Sequence, residues 1–283
     1  MKHLIVNADD FGLTRGVNQG IIRAHREGIL TSATLIATAP AFEHAVALAL
    51  ANPGLGVGCH LVLVGGKAVA PSQEISSLAD SDGRLPLSLP GFAARVSAGT
   101  IRPADIEREL RAQIEKIRDA GIRPSHVDTH KHTHVHPIVM KVIARIVPDY
   151  GIGRVRNPIE SLRDSWNGVG FSTRLAPAGV VRIVGRNFRE IAARYGLRSP
   201  DHFLGLASTG QLGPEALRRM IEQLPEGSAE IMVHPGVCDE DLARTGSRLQ
   251  AQRQLELDGL LDAAVKRTIE KEGIQLMSYC GLN

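Results

Sequence analysis

The chain has 283 residues, a length that is normal for one α/β barrel, and 43% of them are hydrophobic and 22% charged, which argues against disorder. The formal net charge is only +3, and no run of Lys or Arg is long enough to form a nucleic-acid-binding arm, so we expect no nucleic-acid partner. The three cysteines lack CxxC spacing, and we see no signal peptide and no apolar stretch long enough to span a bilayer, which together predict a cytoplasmic protein without an integral membrane segment.

Short β-rich runs alternate with amphipathic helical periods along the chain. Strands are predicted at 4–9, 33–38, 56–63, 125–130, 153–158, 202–208, 229–236 and 274–280. Helices are predicted at 16–28, 41–54, 103–121, 137–147, 179–195, 213–224 and 248–272. This alternation predicts a parallel sheet, and eight strand–helix units are the number that closes a barrel. We therefore expect a single (β/α) barrel-like domain over residues 1–283.

Two stretches interrupt the alternation. Residues 65–102 are rich in Gly, Pro and Ser, and their length predicts a lid or a substrate-contacting loop. Residues 159–178 form a looser region before the predicted basic helix. We expect both stretches to contribute to substrate selectivity. The apolar segment "LPLSLPGF" at 85–92 is compatible with lipid contact or with ordinary lid packing, and we favour packing.

Polar residues stand at or just after the carboxyl ends of several predicted strands. They are Asp9, Asp10, His60, Asp128, His130, Arg156 and His234. In a parallel α/β fold these strand ends share one face, where active sites form. The sequence therefore predicts that residues far apart along the chain converge on one pocket.

The segment "HVDTHKHTHVHP" at 126–137 holds five of the eleven histidines. Any one of them is compatible with a hydrogen-bonded loop or core histidine, whereas the cluster as a whole favours metal or catalytic chemistry. A metal ion needs only two or three imidazoles, so we expect the remaining histidines to support ligands or contact substrate.

The other polar positions admit two interpretations each. Asp9 and Asp10, in "NADDFG", are typical either of a cation ligand beside a base or of turn and N-cap aspartates. His60 and His234, taken alone, are also typical of satisfied core histidines. Arg156 is a candidate anion partner or one half of an ion pair.

Taken together, "LIVNADDFG", "GVGCHLVL", "HVDTHKHTHVHP" and "AEIMVHPG" resemble the YdjC-like carbohydrate deacetylases over essentially the whole chain. The resemblance implies a barrel-like fold related to the NodB-type polysaccharide deacetylases, and one divalent metal ion. "HKHTHVHP", "DYGIGRVRNP" and "SPDHFLGLASTG" look closest to the hopanoid-biosynthesis-associated branch. That branch more often has Asn where this chain has Asp128, and an aromatic residue where it has Thr133.

The resemblance also implies roles for individual residues. Asp10, His60 and His130 correspond to metal ligands. Asp9 corresponds to the catalytic base and His234 to the catalytic acid. Three further residues are implied to line or support the substrate pocket, namely His132, His134 and Arg156. Roles for His126, Asp128 and His136 are left open.

The predicted function is metal-dependent hydrolysis of the N-acetyl group of an amino sugar, giving acetate and a free amine. A chito-oligosaccharide and a lipid- or hopanoid-linked N-acetylglucosamine both fit, so the partner is a small sugar or a glycolipid. One carboxylate and two imidazoles suit Zn²⁺, whereas Mg²⁺ prefers oxygen ligands, and the metal's identity stays open. A metal-dependent phosphoesterase and a non-catalytic metal- or sugar-binding protein are the alternatives. The sequence leaves a homodimer open.

Overall fold

The computed structural model describes residues 1–160 and 185–282, and its centre is a seven-stranded parallel sheet. The strands are β1 (Lys2–Phe11), β2 (Ser32–Leu35), β3 (Gly56–Leu61), β4 (Val127–Thr129), β5 (His202–Leu204), β6 (Gly227–Val233) and β7 (Gln275–Leu276). Their order is β4-β3-β2-β1-β6-β5, and β7 pairs with β1. The expected parallel α/β arrangement is confirmed.

Helices connect the strands. They are α1 (Arg15–Glu27), α2 (Phe42–Leu50), α3 (Leu89–Ser97), α4 (Pro103–Asp119), α5 (Pro137–Ile146), α6 (Phe188–Arg194), α7 (Pro214–Glu222), α8 (Glu240–Arg244), α9 (Ala251–Leu261) and α10 (Ala263–Lys271). A proline stands in the first turn of α3, α4, α5 and α7. Backbone N–H groups in that turn have no acceptor within the helix, so the missing N–H of proline costs no hydrogen bond there. Within residues 1–160 and 185–282, no helix has the length and apolar character needed to cross a bilayer.

β1 is the central strand, flanked by β2 and β6. Its residues alternate in direction, as in any strand. Leu4 and Val6 join the main hydrophobic core, whereas Ile5 packs with Tyr279 and Leu282 in a second, smaller cluster. Asp9 shares the parity of Ile5, so the strand carries this acid on the face opposite the main core. The strand therefore places the Asp9 side chain on a buried face, because both faces of this sheet are covered.

Two of the predicted strands, 153–158 and 274–280, are largely absent from the structure. Residues 153–158 form no strand, but two isolated parallel bridges, Val127–Val155 and Arg154–Arg198, extend the pairing past β4. Pro158 has no N–H with which to continue it. The predicted strand at 274–280 is reduced to β7, because the chain turns into a short 3₁₀ helix at Tyr279–Gly281. The expected eight strands are therefore seven among the described residues.

One predicted helix is broken. Residues 248–272 form α9 and α10, separated at Asp262. The Asp262 side chain accepts hydrogen bonds from the backbone N–H groups of Ala264 and Val265, so it caps a new helix. Of the predicted helix 179–195, the described part contains α6; its first residues, like most of region 159–178, lie outside the described residues.

The insertion at 65–102 contains α3 and is attached to α4 by two buried acids. Glu109 accepts hydrogen bonds from the N–H of Val69 (3.0 Å) and Ala70 (2.9 Å). Asp105 accepts one from the N–H of Ser77 at 3.1 Å. Phe92 of α3 is buried in the core, which agrees with packing of the 85–92 segment, although Leu87 is 83% exposed. The predicted role as a lid stays a prediction.

The anchoring by Glu109 is testable. In Glu109→Gln an amide NH₂ replaces one acceptor oxygen and faces the backbone N–H groups of residues 69 and 70. We expect the free energy of unfolding to fall by about 1–3 kcal/mol, and the insertion to be cut more readily by proteases. Urea denaturation and limited proteolysis measure the two effects.

Glu107→Gln is the matched control, since Glu107 lies on the same helix but pairs with Arg111 and Arg145 near the surface. Its cost is expected to stay below about 0.5 kcal/mol. Equal costs for the two variants would contradict the anchoring role of Glu109.

Candidate active site

Two adjacent acids enter the site because β1 is irregular at its carboxyl end. The register with β2 shifts between Ala8 and Phe11, and Asp10 has φ 65°, in the left-handed region. Aspartate tolerates that region better than most residues, and such an irregularity re-aims side chains. Neighbours on a regular strand would point to opposite faces. Here Asp9 and Asp10 are both buried at the same end of the sheet.

Asp10, His60 and His130 form a group that fits a metal ion. Oδ1 of Asp10 lies 3.7 Å from Nε2 of His60 and 3.5 Å from Nδ1 of His130, and all three atoms lie within 4.8 Å of one another. Two ligands of a tetrahedral ion, each about 2.0–2.2 Å from it, are roughly 3.3–3.6 Å apart. The three residues predicted as ligands are therefore brought together at the ends of β1, β3 and β4.

Asp128 orients His60. The register of β3 and β4 pairs these two residues, and Nδ1 of His60 lies 2.7 Å from Oδ1 of Asp128. A carboxylate on one ring nitrogen fixes the tautomer and makes the other nitrogen a better ligand. Nε2 is consequently the nitrogen that His60 presents to Asp10.

Asp9, His60 and Asp128 form a second group with ligand-like spacing. In that group the guanidinium of Arg156 already contacts both carboxylates, at 2.6 Å from Asp9 and 2.7 Å from Asp128. We therefore favour the group around Asp10.

The charges around this group also fit a cation. Three carboxylates face two guanidinium groups; these residues are Asp9, Asp10, Asp128, Arg156 and Arg253. Burial disfavours a charged imidazole, yet the surrounding carboxylates of Asp128, Asp9 and Asp10 outweigh it and raise the pKa of His60 to about 9. The site thus attracts positive charge, and its donor set suits a divalent ion.

Arg156 holds Asp9 in place. Its Nη1 and Nη2 donate to the two carboxylate oxygens of Asp9 at 2.8 and 2.6 Å. Although burial alone would raise it, Arg156 holds the pKa of Asp9 far below its ordinary range, so the carboxylate is ionised. Arg156 is fully buried and also contacts Asp128 and Glu230. Its contacts are those of a residue that orients carboxylates, rather than those of a group that meets substrate directly.

His234 lies beside Asp9. The register that pairs Ala8 with Val233 places the next residues side by side, and Nε2 of His234 is 4.0 Å from Oδ2 of Asp9. Burial lowers the pKa of His234 to about 4, so the imidazole is neutral before any reaction. Its backbone N–H donates to Glu256 at 2.5 Å, which fixes the turn that carries it.

The two histidines predicted to line the pocket, His132 and His134, differ in the hydrogen bonding of their ring nitrogens. Both ring nitrogens of His134 are engaged, Nδ1 with the hydroxyl of Thr129 (2.6 Å) and Nε2 with the backbone carbonyl of Arg156 (3.1 Å). His134 is fully buried and braces the loop after β4. His132 has φ 53° and lies edge-on to Phe203, and its buried Nδ1 has no partner among the described residues. Of the two, His132 is therefore the one with an unbonded ring nitrogen among the described residues, and that atom is buried.

The remaining cluster histidines have structural contacts. His126 is buried and stacks on the Tyr279 ring at 3.6 Å. The hydroxyl of Tyr279 donates to Glu230 at 2.5 Å, and Glu230 also contacts Arg156. His136 caps α5 by accepting from the N–H of Ile138 at 3.3 Å. Residues of one histidine run therefore belong to a candidate metal group, brace a loop, stack on a tyrosine and cap a helix.

Sequence reasoning missed two residues of α9. Arg253 donates from Nη2 to Oδ2 of Asp10 at 2.6 Å, and Glu256 accepts from the backbone of His234. Both are buried. The signal was their i, i+3 spacing beside Leu257 and Leu260, which places the two charges towards the buried side of the helix.

A cleft of about 430 Å³ is lined by residues that follow β1 and β2 in the chain and by α8, and none of the site residues named above lines it. The polar residues that line the cleft include Thr14, Arg15, Glu43, His44, Asp241 and Arg244. The insertion at 65–102 contributes no residue to this cleft.

Comparison with known proteins decides the family. The sequence profile of the family described as YdjC-like protein matches residues 3–271. The chain belongs to this family. Carbohydrate deacetylases of Brevibacillus brevis and Geobacillus stearothermophilus are 37% and 35% identical to it, over 99% and 98% of this chain and 99% and 97% of theirs. The predicted family is confirmed, and the activity in these relatives' names is the one that the sequence predicts.

Solved structures agree with the fold. A protein of Enterococcus faecalis V583 described as a cellobiose-phosphate cleavage protein is 27% identical, covers 98% of this chain and 97% of its own, and superposes with a TM-score of 0.79. An uncharacterised protein of Agrobacterium tumefaciens C58 shares the fold alone, with a TM-score of 0.53 at 10% identity over 99% and 88% of the two chains. The barrel-like parallel architecture is thereby confirmed.

The hypothesis that Asp10, His60 and His130 bind a metal ion can be tested directly. Protein purified without a His-tag should bind one Zn²⁺ or Co²⁺ per chain, and His60→Ala or His130→Ala should abolish tight binding because only two ligands remain. His136→Ala should still bind the ion, since His136 serves as a helix cap. Equilibrium dialysis with elemental analysis measures the stoichiometry. Binding that survives His60→Ala, or that disappears in His136→Ala, would show that the ligand set is wrong.

Proposed function

We propose that this protein is a metal-dependent carbohydrate deacetylase that hydrolyses the N-acetyl group of an amino sugar to acetate and a free amine. The observation that carries the proposal is the Asp10–His60–His130 group with the Arg156-held Asp9 beside it. Relatives named carbohydrate deacetylases match nearly the whole chain at up to 37% identity, and they supply the reaction class.

Asp9 is the proposed base. A divalent cation bound by Asp10, His60 and His130 would act as a Lewis acid towards the acetyl carbonyl and would lower the pKa of a water molecule. Asp9 is ionised and fixed by two guanidinium hydrogen bonds, so one of its oxygens accepts the proton of the attacking water without reorientation. Arg156 in turn keeps this acceptor in one position.

His234 is the proposed acid. A departing sugar amine must be protonated, because its anion is a poor leaving group. His234 is neutral at the start, so it acquires a proton during the reaction, and Asp9 is the neighbouring proton carrier at 4.0 Å. The proton removed from water at Asp9 thus reaches the amine through the imidazole. Glu256 holds the backbone of this histidine.

The phosphoesterase alternative requires free cationic groups to receive a phosphate. The buried arginines beside the site, Arg156 and Arg253, are each already bound to carboxylates. We therefore do not favour it. A non-catalytic metal store would hold several ions, whereas the described residues offer overlapping groups around one position.

For the substrate, a chito-oligosaccharide and a lipid-linked N-acetylglucosamine present the same reacting amide. The hopanoid-associated motifs favour the lipid-linked arm. The cytoplasm is the proposed compartment, because all three cysteines are unpaired. Acetate release from free and lipid-linked N-acetyl sugars, with and without chelator, tests the proposal. Chelator-sensitive acetate release supports it; phosphoester hydrolysis without acetate release would refute it.

Asp9→Asn separates the base from the ligands. We expect it to retain the metal but to lower turnover on the order of 10²–10⁴-fold, because the acceptor for the water proton is gone. Asp10→Asn is the matched neighbour and should lose both metal binding and turnover. Metal content and acetate release are measured on the same preparations. Full turnover in Asp9→Asn would rule out its role as base.

A further inference from the structure

Arg253 is hydrogen-bonded to one carboxylate oxygen of Asp10, the acid that we propose as a metal ligand. It lies on α9 with 1% of its surface exposed, 243 positions from Asp10 along the chain. Its Nη2 donates to Oδ2 of Asp10 at 2.6 Å, and its Nε donates to the backbone carbonyl of Leu249 at 3.3 Å. Nη1 is buried without a partner among the described residues. Among the residues that the structure describes, Asp10 is the ion-pair partner that holds this buried guanidinium.

The two carboxylate oxygens of Asp10 therefore have different surroundings. Oδ1 faces His60 at 3.7 Å and His130 at 3.5 Å, whereas Oδ2 is taken by Arg253. A charge-assisted hydrogen bond fixes the rotation of the carboxylate. One oxygen alone is therefore presented to the imidazoles.

The loop after β6 fixes the stem of Arg253. The backbone N–H of Gly236 donates to the Arg253 carbonyl at 3.2 Å. A Cβ on Gly236 would lie 3.3 Å from Cδ of Arg253 and 3.1 Å from Val17, so the loop lies close against the arginine. The same helix holds His234 through Glu256. α9 thus supports both the metal group and the proposed acid.

We propose that Arg253 is a positioning residue that makes Asp10 a ligand through Oδ1 alone, and so keeps a coordination position open for water and the substrate carbonyl. This inference rests on the proposed function. A catalytic metal requires such an open position. Were Oδ2 released, Asp10 could chelate the ion with both oxygens and fill it.

The test compares Arg253→Gln with Arg253→Lys. Co²⁺ reports coordination number through its visible absorption, which weakens as ligands are added beyond four. In Arg253→Gln we expect Co²⁺ to bind with weaker absorption per ion, and kcat to fall about 10–100-fold with little change in KM. Arg253→Lys keeps a cation and should recover part of both. Arg219→Gln, a surface arginine on α7 that pairs with Glu215, is the control and should match the wild type.

Three results would overturn the proposal: an unchanged Co²⁺ spectrum in Arg253→Gln, a changed spectrum with unchanged kcat, or loss of Co²⁺ binding. If Arg253→Gln does not fold, the Co²⁺ spectrum of Arg253→Lys can still be compared with that of the wild type, because the lysine variant keeps the buried charge. The spectrum is read without substrate. If the wild type released no acetate, the proposed function would fail, while the spectrum would still decide how Asp10 binds the ion.

Discussion

A guanidinium buried among carboxylates is the interaction on which the rest of this structure depends. Arg156 is inaccessible to solvent and contacts Asp9 from β1, Asp128 from β4 and Glu230 from β6. Any one of these acids would be costly to bury as an isolated ion. Sharing one cation, they join three strands at the sheet end where the chemistry is proposed. The surplus of negative charge that remains would favour a cation at the Asp10 group.

The sequence was informative where function needs particular residue types at strand ends. The acids at the carboxyl end of β1, His60 and the histidine run were all recognisable, because such polar groups are unusual beside buried apolar strands. The placement of three of them around one point followed from the parallel topology. The division of labour within the histidine run did not, because it depends on which nitrogen meets a hydroxyl, a carbonyl or a ring. His134 and His126 look the same in sequence as a ligand histidine.

Other features could not be read because a local pattern was overridden by tertiary contacts. The spacing of Arg253 and Glu256 on their helix indicates its buried side, but only the fold shows that they contact Asp10 and the backbone of His234. The break at Asp262 was hidden because the helical period continues through it. The attachment of the insertion by Glu109 likewise depends on backbone N–H groups far away in sequence. These contacts have no motif, although they decide how firmly the site is held.

The position of β1 has a consequence for how the molecule assembles. The first strand of the chain is the middle of the sheet, and its longest pairing is with β6, more than two hundred residues later. During synthesis, one edge of this apolar strand must wait for most of the polypeptide to leave the ribosome. Topologies dominated by such distant pairings fold slowly and leave strand edges open to aggregation. Slow folding is therefore the expected consequence of the same arrangement that brings Asp9 next to His234.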